Sequence, residues 1–207
     1  MSYPQYGIYL IPPPHILYPI AQAHQILANE FMAHTAGRFM VHCTVKGFFK
    51  LKDGSKPEDL IPALDELFSS TPAFQTGLVE VIGLNGPPYG PTVLLEMART
   101  YRFHKLHEGV WNIVRPHIAP DCLFSPIEPA GGNFLPHITL GMKDPPIEPG
   151  LFRQFEQLAR YVFEQLPKEP WTATDMQFIE FYSEDWAGKW WETLNYKQLK
   201  GWQLKTA

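Results

Sequence analysis

His42-Cys43-Thr44-Val45 and His137-Ile138-Thr139-Leu140 carry one pattern twice: a histidine, an apolar residue, a threonine and an aliphatic residue. Both copies stand in apolar, β-branched surroundings that favour strands. Side chains two apart in a strand share a face. His42 and Thr44 therefore point one way, and Cys43 and Val45 the other. His137 and Thr139 sort against Ile138 and Leu140 in the same manner. Each strand has an apolar back and a front of imidazole plus hydroxyl. Two such fronts across a cleft would set two acid/base groups and two hydroxyl donors around one small anion.

The rest of the chain reads as a frame for these strands. Residues 6–11 read as a strand stopped by Pro12-Pro13-Pro14, and residues 18–31 as a helix with Ile20, Ala23, Ile26, Leu27 and Phe31 on its apolar stripe. The first motif strand spans 40–50. A turn at Asp53-Gly54-Ser55 precedes a helix carrying Leu60, Leu64, Leu67 and Phe68. Residues 74–84 and 92–98 read as two hairpin strands joined by Asn85-Gly86-Pro87-Pro88-Tyr89-Gly90. A helix from 101 to about 118 follows, and Gly131-Gly132-Asn133 turns the chain into the second motif strand, 134–142. Residues 149–166 are an amphipathic helix, 172–182 a strand, 184–188 a loop, and 190–204 one or two closing strands. Strand and helix units thus recur around each motif. Hairpins mixed with helices point to an α+β fold rather than a doubly wound parallel sheet.

A length of 207 residues fits one compact domain or two small lobes sharing a cleft, and 45% hydrophobic residues supply a sizeable core. A formal net charge of −4 argues against gripping long duplex nucleic acid by its backbone. It leaves room for a nucleotide or an RNA end, which needs only one local pocket. Two cysteines make no disulfide framework or zinc signature, and Cys43 is expected as a buried thiol. No signal pattern and no membrane-spanning apolar run is present, so a cytoplasmic protein without membrane contact is expected. Phosphate-binding loop, dinucleotide and serine-elbow fingerprints are absent.

The longer stretches HCTVKGFF (42–49) and FLPHITLG (134–141) resemble, in order, the two motifs of the 2H phosphoesterases. That superfamily includes the 2'-5' RNA ligase-like proteins and the 2',3'-cyclic nucleotide phosphodiesterases. The resemblance covers most of the chain, although only the two motifs are specific. It implies the bilobal 2H fold over residues 1–207 as one domain: two antiparallel sheets in pseudo-symmetric lobes, helices outside, and the motifs facing across a central cleft. It also implies phosphodiester chemistry on 2',3'-cyclic phosphates or 2'-5' linkages, a 2'-phosphate product, and His137 as base with His42 as acid. Reverse ligation would use the same machinery.

His42, Thr44, His137 and Thr139 are therefore the expected catalytic residues. One neutral imidazole would take the proton of water and the other, protonated, would supply the leaving oxygen, while the hydroxyls donate to the phosphate. Lys46 is two past Thr44 and would share its face unless Gly47 introduces a bulge; a solvated strand-end lysine is the other reading. Many relatives carry arginine just after the second motif, where this chain has Gly141, Met142 and Lys143. Tyr9, Phe48 and Phe134 are candidates for stacking on a base, with core packing as the alternative. Trp186, Trp190 and Trp191 form either an aromatic surface or a hairpin packing cluster. His104 and His107 are read as a solvated helix face, and His15, His24, His34 and His117 join no constellation. No carboxylate or histidine cluster accompanies the motifs, so no metal or other cofactor is expected. The expected partner is a nucleotide or RNA-end substrate; a signalling oligonucleotide is the alternative, and a non-catalytic nucleotide-binding module is the alternative of another class.

Overall fold

The computed structural model describes residues 3–87, 90–126, 128 and 130–206. Among them the chain runs β1 (Gln5–Ile11), α1 (Pro14–Phe31), β2 (Cys43–Phe49), α2 (Ile61–Ser70), β3 (Phe74–Thr76), β4 (Leu78–Gly86), β5 (Gly90–Met97), α3 (Tyr101–Val114), β6 (His137–Met142), α4 (Pro149–Gln165), β7 (Trp171–Ala173), β8 (Asp175–Tyr182) and β9 (Asn195–Gln203). Helix α1 opens at Pro14 rather than Tyr18, because a proline in the first turn loses no hydrogen bond and has its φ preset. Thr100 caps α3 by accepting from the Phe103 N–H at 3.1 Å, and Glu148 caps α4 by accepting from Gly150 and Leu151.

The strands form antiparallel sheets in the orders β2-β1-β8-β9 and β4-β5-β6, as the α+β reading expects. Two segments read as single strands are broken. Residues 74–84 divide at Gly77 into β3 and β4, and residues 172–182 divide at Thr174 into β7 and β8. β3 and β7 pair with each other, from Phe74 opposite Ala173 to Thr76 opposite Trp171, before each chain enters its own sheet. The buried positions change phase at each joint, from Phe74 and Thr76 to Val81 and from Trp171 and Ala173 to Met176 and Phe178, as each strand passes from one partner to another. In the expected hairpin, β4 and β5 pair from Leu78–Met97 to Gly86–Gly90; Pro88 and Tyr89 of its connection lie outside the described residues.

The main core joins sheet residues Ile8, Leu10, Val93 and Leu95 to Ile20 and Leu27 of α1, Phe103 and Val110 of α3, and Phe155 and Ala159 of α4. A second, mostly aromatic cluster holds Tyr9, Phe39, Phe48, Phe181, Trp186 and Trp190. Its ring pairs sit mainly edge to face at 4.8–5.9 Å, each contributing about 0.5–1.5 kcal/mol beyond area burial. Trp186 and Trp190 are thus packing residues; the Trp186 indole donates to the Tyr3 carbonyl at 2.7 Å. No helix among the described residues is long and apolar enough to cross a membrane. β2 and β6 are the edge strands of their two sheets and lie against each other.

Candidate active site

Both motif strands break register at the same point. β2 runs opposite β1 through Leu10–Cys43 and Tyr9–Thr44, then slips so that Ile8 meets Lys46. β6 runs opposite β5 through Leu95–Ile138 and Leu94–Thr139, then slips so that Val93 meets Gly141. The extra residue is Val45 in one strand and Leu140 in the other, each directly after the motif threonine. Such bulges bend a strand and re-aim its side chains. Cys43, Val45, Ile138 and Leu140 are fully buried in the main core, while Thr44, His137 and Thr139 are half-buried on the other side.

His42 and His137 are held by the same device. Each Nδ1 lies 2.7 Å from the carbonyl oxygen two residues upstream, of Met40 and of Leu135. A carbonyl only accepts, so Nδ1 carries the hydrogen in both rings and Nε2 is the nitrogen available to take a proton. Around His42, Tyr9 sits edge-on at 4.5 Å and Phe39 stacks at 4.9 Å. Tyr9 can lie there because residue 7 is glycine: a Cβ at Gly7 would come 2.5 Å from the tyrosine Cζ. The two motifs meet at this seam. Strand β2 packs against β6 there, and His42 and Thr139 line one cavity of about 10 Å³, room for about one water.

The four substrate-contact candidates are placed otherwise than expected. Lys46 does not join Thr44 in the cleft. The bulge at Val45, followed by a second slip before Phe49, turns its side chain into the protein. Fully buried, it pairs with Glu128, donates to the Gly47 carbonyl at 3.2 Å, and lies 5.6 Å from the ring centres of both Phe49 and Trp111. Glu128 also accepts from the Gly47 N–H at 2.5 Å. A Cβ at Gly47 would stand 2.9 Å from that carboxylate oxygen, so the glycine permits the approach. Phe48 is buried in the aromatic cluster, and Phe134 lies flat on His107 at 3.9 Å. With Tyr9 only 2% exposed, none of the three aromatics offers an open ring to a base. Alternation tells which face a side chain takes; here the protein's own aromatics fill that face.

Two histidines outside the motifs belong to the site. His24 of α1 is buried, its Nε2 2.8 Å from the Thr139 carbonyl oxygen. His107 of α3 is 1% exposed, not solvated; its Nδ1 donates to the Val45 carbonyl at 2.7 Å and its Nε2 accepts the Gly131 N–H at 3.3 Å. His104 stays half-exposed beside Glu108. A signal for both was present in the sequence: each interrupts an apolar helix stripe, Ile20-Ala23-Leu27 or Phe103-Leu106-Val110, where a buried imidazole must find a partner.

Electrostatics separates the two motif histidines. Burial pushes His42 down to about 4 against the pull of the Met40 carbonyl, and His137 and His24 depress it further. Burial lowers His137 too, but the Leu135 carbonyl and the Glu128 carboxylate oppose the shift. Between pH 6.5 and about 4 the unfolded chain binds a proton at residue 42 that the folded chain refuses, so stability falls as pH falls through that window. The shift corresponds to about 3 kcal/mol from His42 alone. Lowered values at His24, His107 and His137 act in the same direction. The thermal midpoint is expected to drop between pH 7 and pH 4, and to drop less in His42→Asn. An identical slope in the variant would contradict a buried neutral ring. Among the described residues no three His, Cys, Asp or Glu gather as a metal site, and Cys43 and Cys122 are free and buried.

The family model of the 2'-5' RNA ligase superfamily matches residues 12–185. A search among curated proteins finds no match. Among solved structures, TT0787 of Thermus thermophilus is similar over 98% of this chain and 98% of its own, at 15% identity and a TM-score of 0.60. E. coli LigT complexed with phosphate is similar over 99% of each chain at 18% identity and a TM-score of 0.52. The same protein complexed with 3'-AMP gives 17% identity and 0.53. At such identities these structures speak for the fold alone. With the family match spanning most of the sequence and the same fold recurring end to end in these structures, the chain belongs to the 2'-5' RNA ligase superfamily, within the 2H phosphoesterases.

Proposed function

We propose that this protein is a metal-independent phosphodiesterase that opens a 2',3'-cyclic phosphate on a nucleotide or RNA end, or cleaves a 2'-5' linkage, leaving a 2'-phosphate. The observation that carries the reading is the matched pair of histidines, each with its hydrogen locked on Nδ1, meeting at one seam with a threonine beside each. Water attacks phosphorus as one imidazole takes its proton; the P–O bond to the departing ribose oxygen breaks as the other imidazole protonates that oxygen. The Thr44 and Thr139 hydroxyls donate to the non-bridging oxygens as charge builds. Burial lowers the proton affinity of both rings, but neighbouring His137 and His24 lower His42 further while the Glu128 carboxylate opposes the lowering at His137, which supports His42 as the base and His137 as the acid. This reverses the order that the family resemblance favours.

The relatives' ligands support a nucleotide-sized substrate: LigT structures hold phosphate, 3'-AMP and ATP. A groove of about 630 Å³ beside the seam supports a chain continuing beyond the reacting phosphate. It runs past Leu17, Gln25, Arg38, Phe39 and Tyr196, and no carboxylate lines it among the described residues. The test is a panel of 2',3'-cyclic mononucleotides, cyclic-phosphate RNA ends, 2'-5' dinucleotides and cyclic signalling oligonucleotides, assayed in excess EDTA with products resolved by phosphate position. Turnover to 2'-phosphates, faster on RNA ends than on mononucleotides, is expected, and Arg38→Ala with Tyr196→Ala should narrow that preference. Binding without turnover would overturn the reading in favour of a nucleotide-binding module, and loss of activity on chelation, restored by a divalent metal, would overturn metal independence.

A further inference from the structure

We infer that His24 and His107 are positioning residues that hold the two motif strands in their catalytic geometry, each from the opposite half of the chain. This rests on the phosphodiesterase reading above. The need for them follows from the backbone. β2 and β6 are edge strands, so one side of each has no ladder partner, and each also carries a bulge directly after its threonine. A bulged edge leaves backbone carbonyls unpaired, and a buried carbonyl needs a donor. In β2 that carbonyl belongs to Val45, the inserted residue, and His107 of α3 donates to it. In β6 it belongs to Thr139, whose chain continues into the inserted Leu140, and His24 of α1 lies at hydrogen-bond distance.

The connections cross. α1 precedes the first motif in sequence yet holds the second; α3 precedes the second yet holds the first. Each imidazole thereby ties a motif strand to a helix from the other half, and the two ties together set the approach of His42–Thr44 to His137–Thr139. His107 is itself immobilised, by Phe134 stacked on its ring and by the Gly131 N–H on its second nitrogen. Neither residue belongs to the matched His-x-Thr motifs. Their expected effect is on the geometry of the bound phosphate, where displacement of about 1 Å can lower the rate about 10²-fold.

The experiment pairs an isosteric loss with a conservative rescue. His107→Phe keeps the stacking ring and removes the donor, whereas His107→Asn restores an amide N–H near Nδ1. His24→Phe and His24→Gln do the same for Nε2. Steady-state kinetics are read on the best substrate of the wild-type panel, alongside hydrogen exchange in segments 43–49 and 137–142. The Phe variants are expected to lose about 10- to 10²-fold in kcat with KM nearly unchanged and to exchange faster in the strand each one holds: 43–49 for His107 and 137–142 for His24. The Asn and Gln variants should recover most of both. Wild-type kcat in the Phe variants, or faster exchange across the whole chain without rescue, would overturn the inference. Should the wild type turn over no substrate, the phosphodiesterase reading fails by itself, and strand-specific exchange with rescue still decides whether these histidines hold the strands.

Discussion

His42→Asn and His137→Asn are each expected to lower kcat by roughly 10²–10⁴-fold while the chain stays folded. Asparagine is the informative replacement because its side-chain amide can donate to the Met40 or Leu135 carbonyl, as Nδ1 does now, while nothing takes the place of Nε2. The loss would then report the missing proton carrier rather than an unpaired carbonyl. Alanine is a poorer choice at residue 42, where the ring fills space between Tyr9 and Phe39 and its removal leaves a cavity. The double variant should lose little more than either single one, since an acid without its base no longer completes the reaction. Wild-type activity should follow a bell-shaped pH profile whose limbs belong to the pair, and each variant should lose one limb. Near-normal kcat in either variant would remove that histidine from the chemistry.

Ile138→Asp should act on the opposite face of the same strand and with the opposite signature. Ile138 is fully buried between its two motif neighbours. An unpaired carboxylate there costs several kcal/mol, a large part of a typical folding stability of about 5–15 kcal/mol. The variant is expected to unfold or to lose most of its thermal midpoint. Thr139→Val, one residue on, should keep its midpoint and lose about 10²–10³-fold in kcat with one phosphate donor. Thermal melts and kinetics on both variants decide the matter. A stable Ile138→Asp protein lacking only activity would mean that the faces are assigned backwards.

The element order was legible in the sequence because helix and strand periods are local. The two motif strands and the amphipathic stripe of α4 can each be read within a few residues. The breaks at Gly77 and Thr174 were not read, since a one-residue change of apolar phase, as from Ala173 to Met176, does not by itself say whether a strand bulges or changes partner, and only the pairing of β3 with β7 reveals the joint. The same limit governs Lys46. Its place two residues after Thr44 puts it on the cleft face of any regular strand. The slip at Val45 is a property of how β2 meets β1, and the partner that holds the lysine, Glu128, lies far along the chain.

By itself, the sequence determined which side chains of the two motifs face the core and which face the seam, because alternation depends on nothing beyond the strand. It also determined the family, since the two motifs and their order are carried by contiguous residues. Tertiary structure alone decided how the site is finished. The aromatic filling around Tyr9 and Phe48, the burial of Lys46 against Glu128, and the reach of His24 to Thr139 and His107 to Val45 all join residues distant in the chain. Such contacts follow from register, bulges and the packing of helices on sheets, none of which is written in the local order of residues.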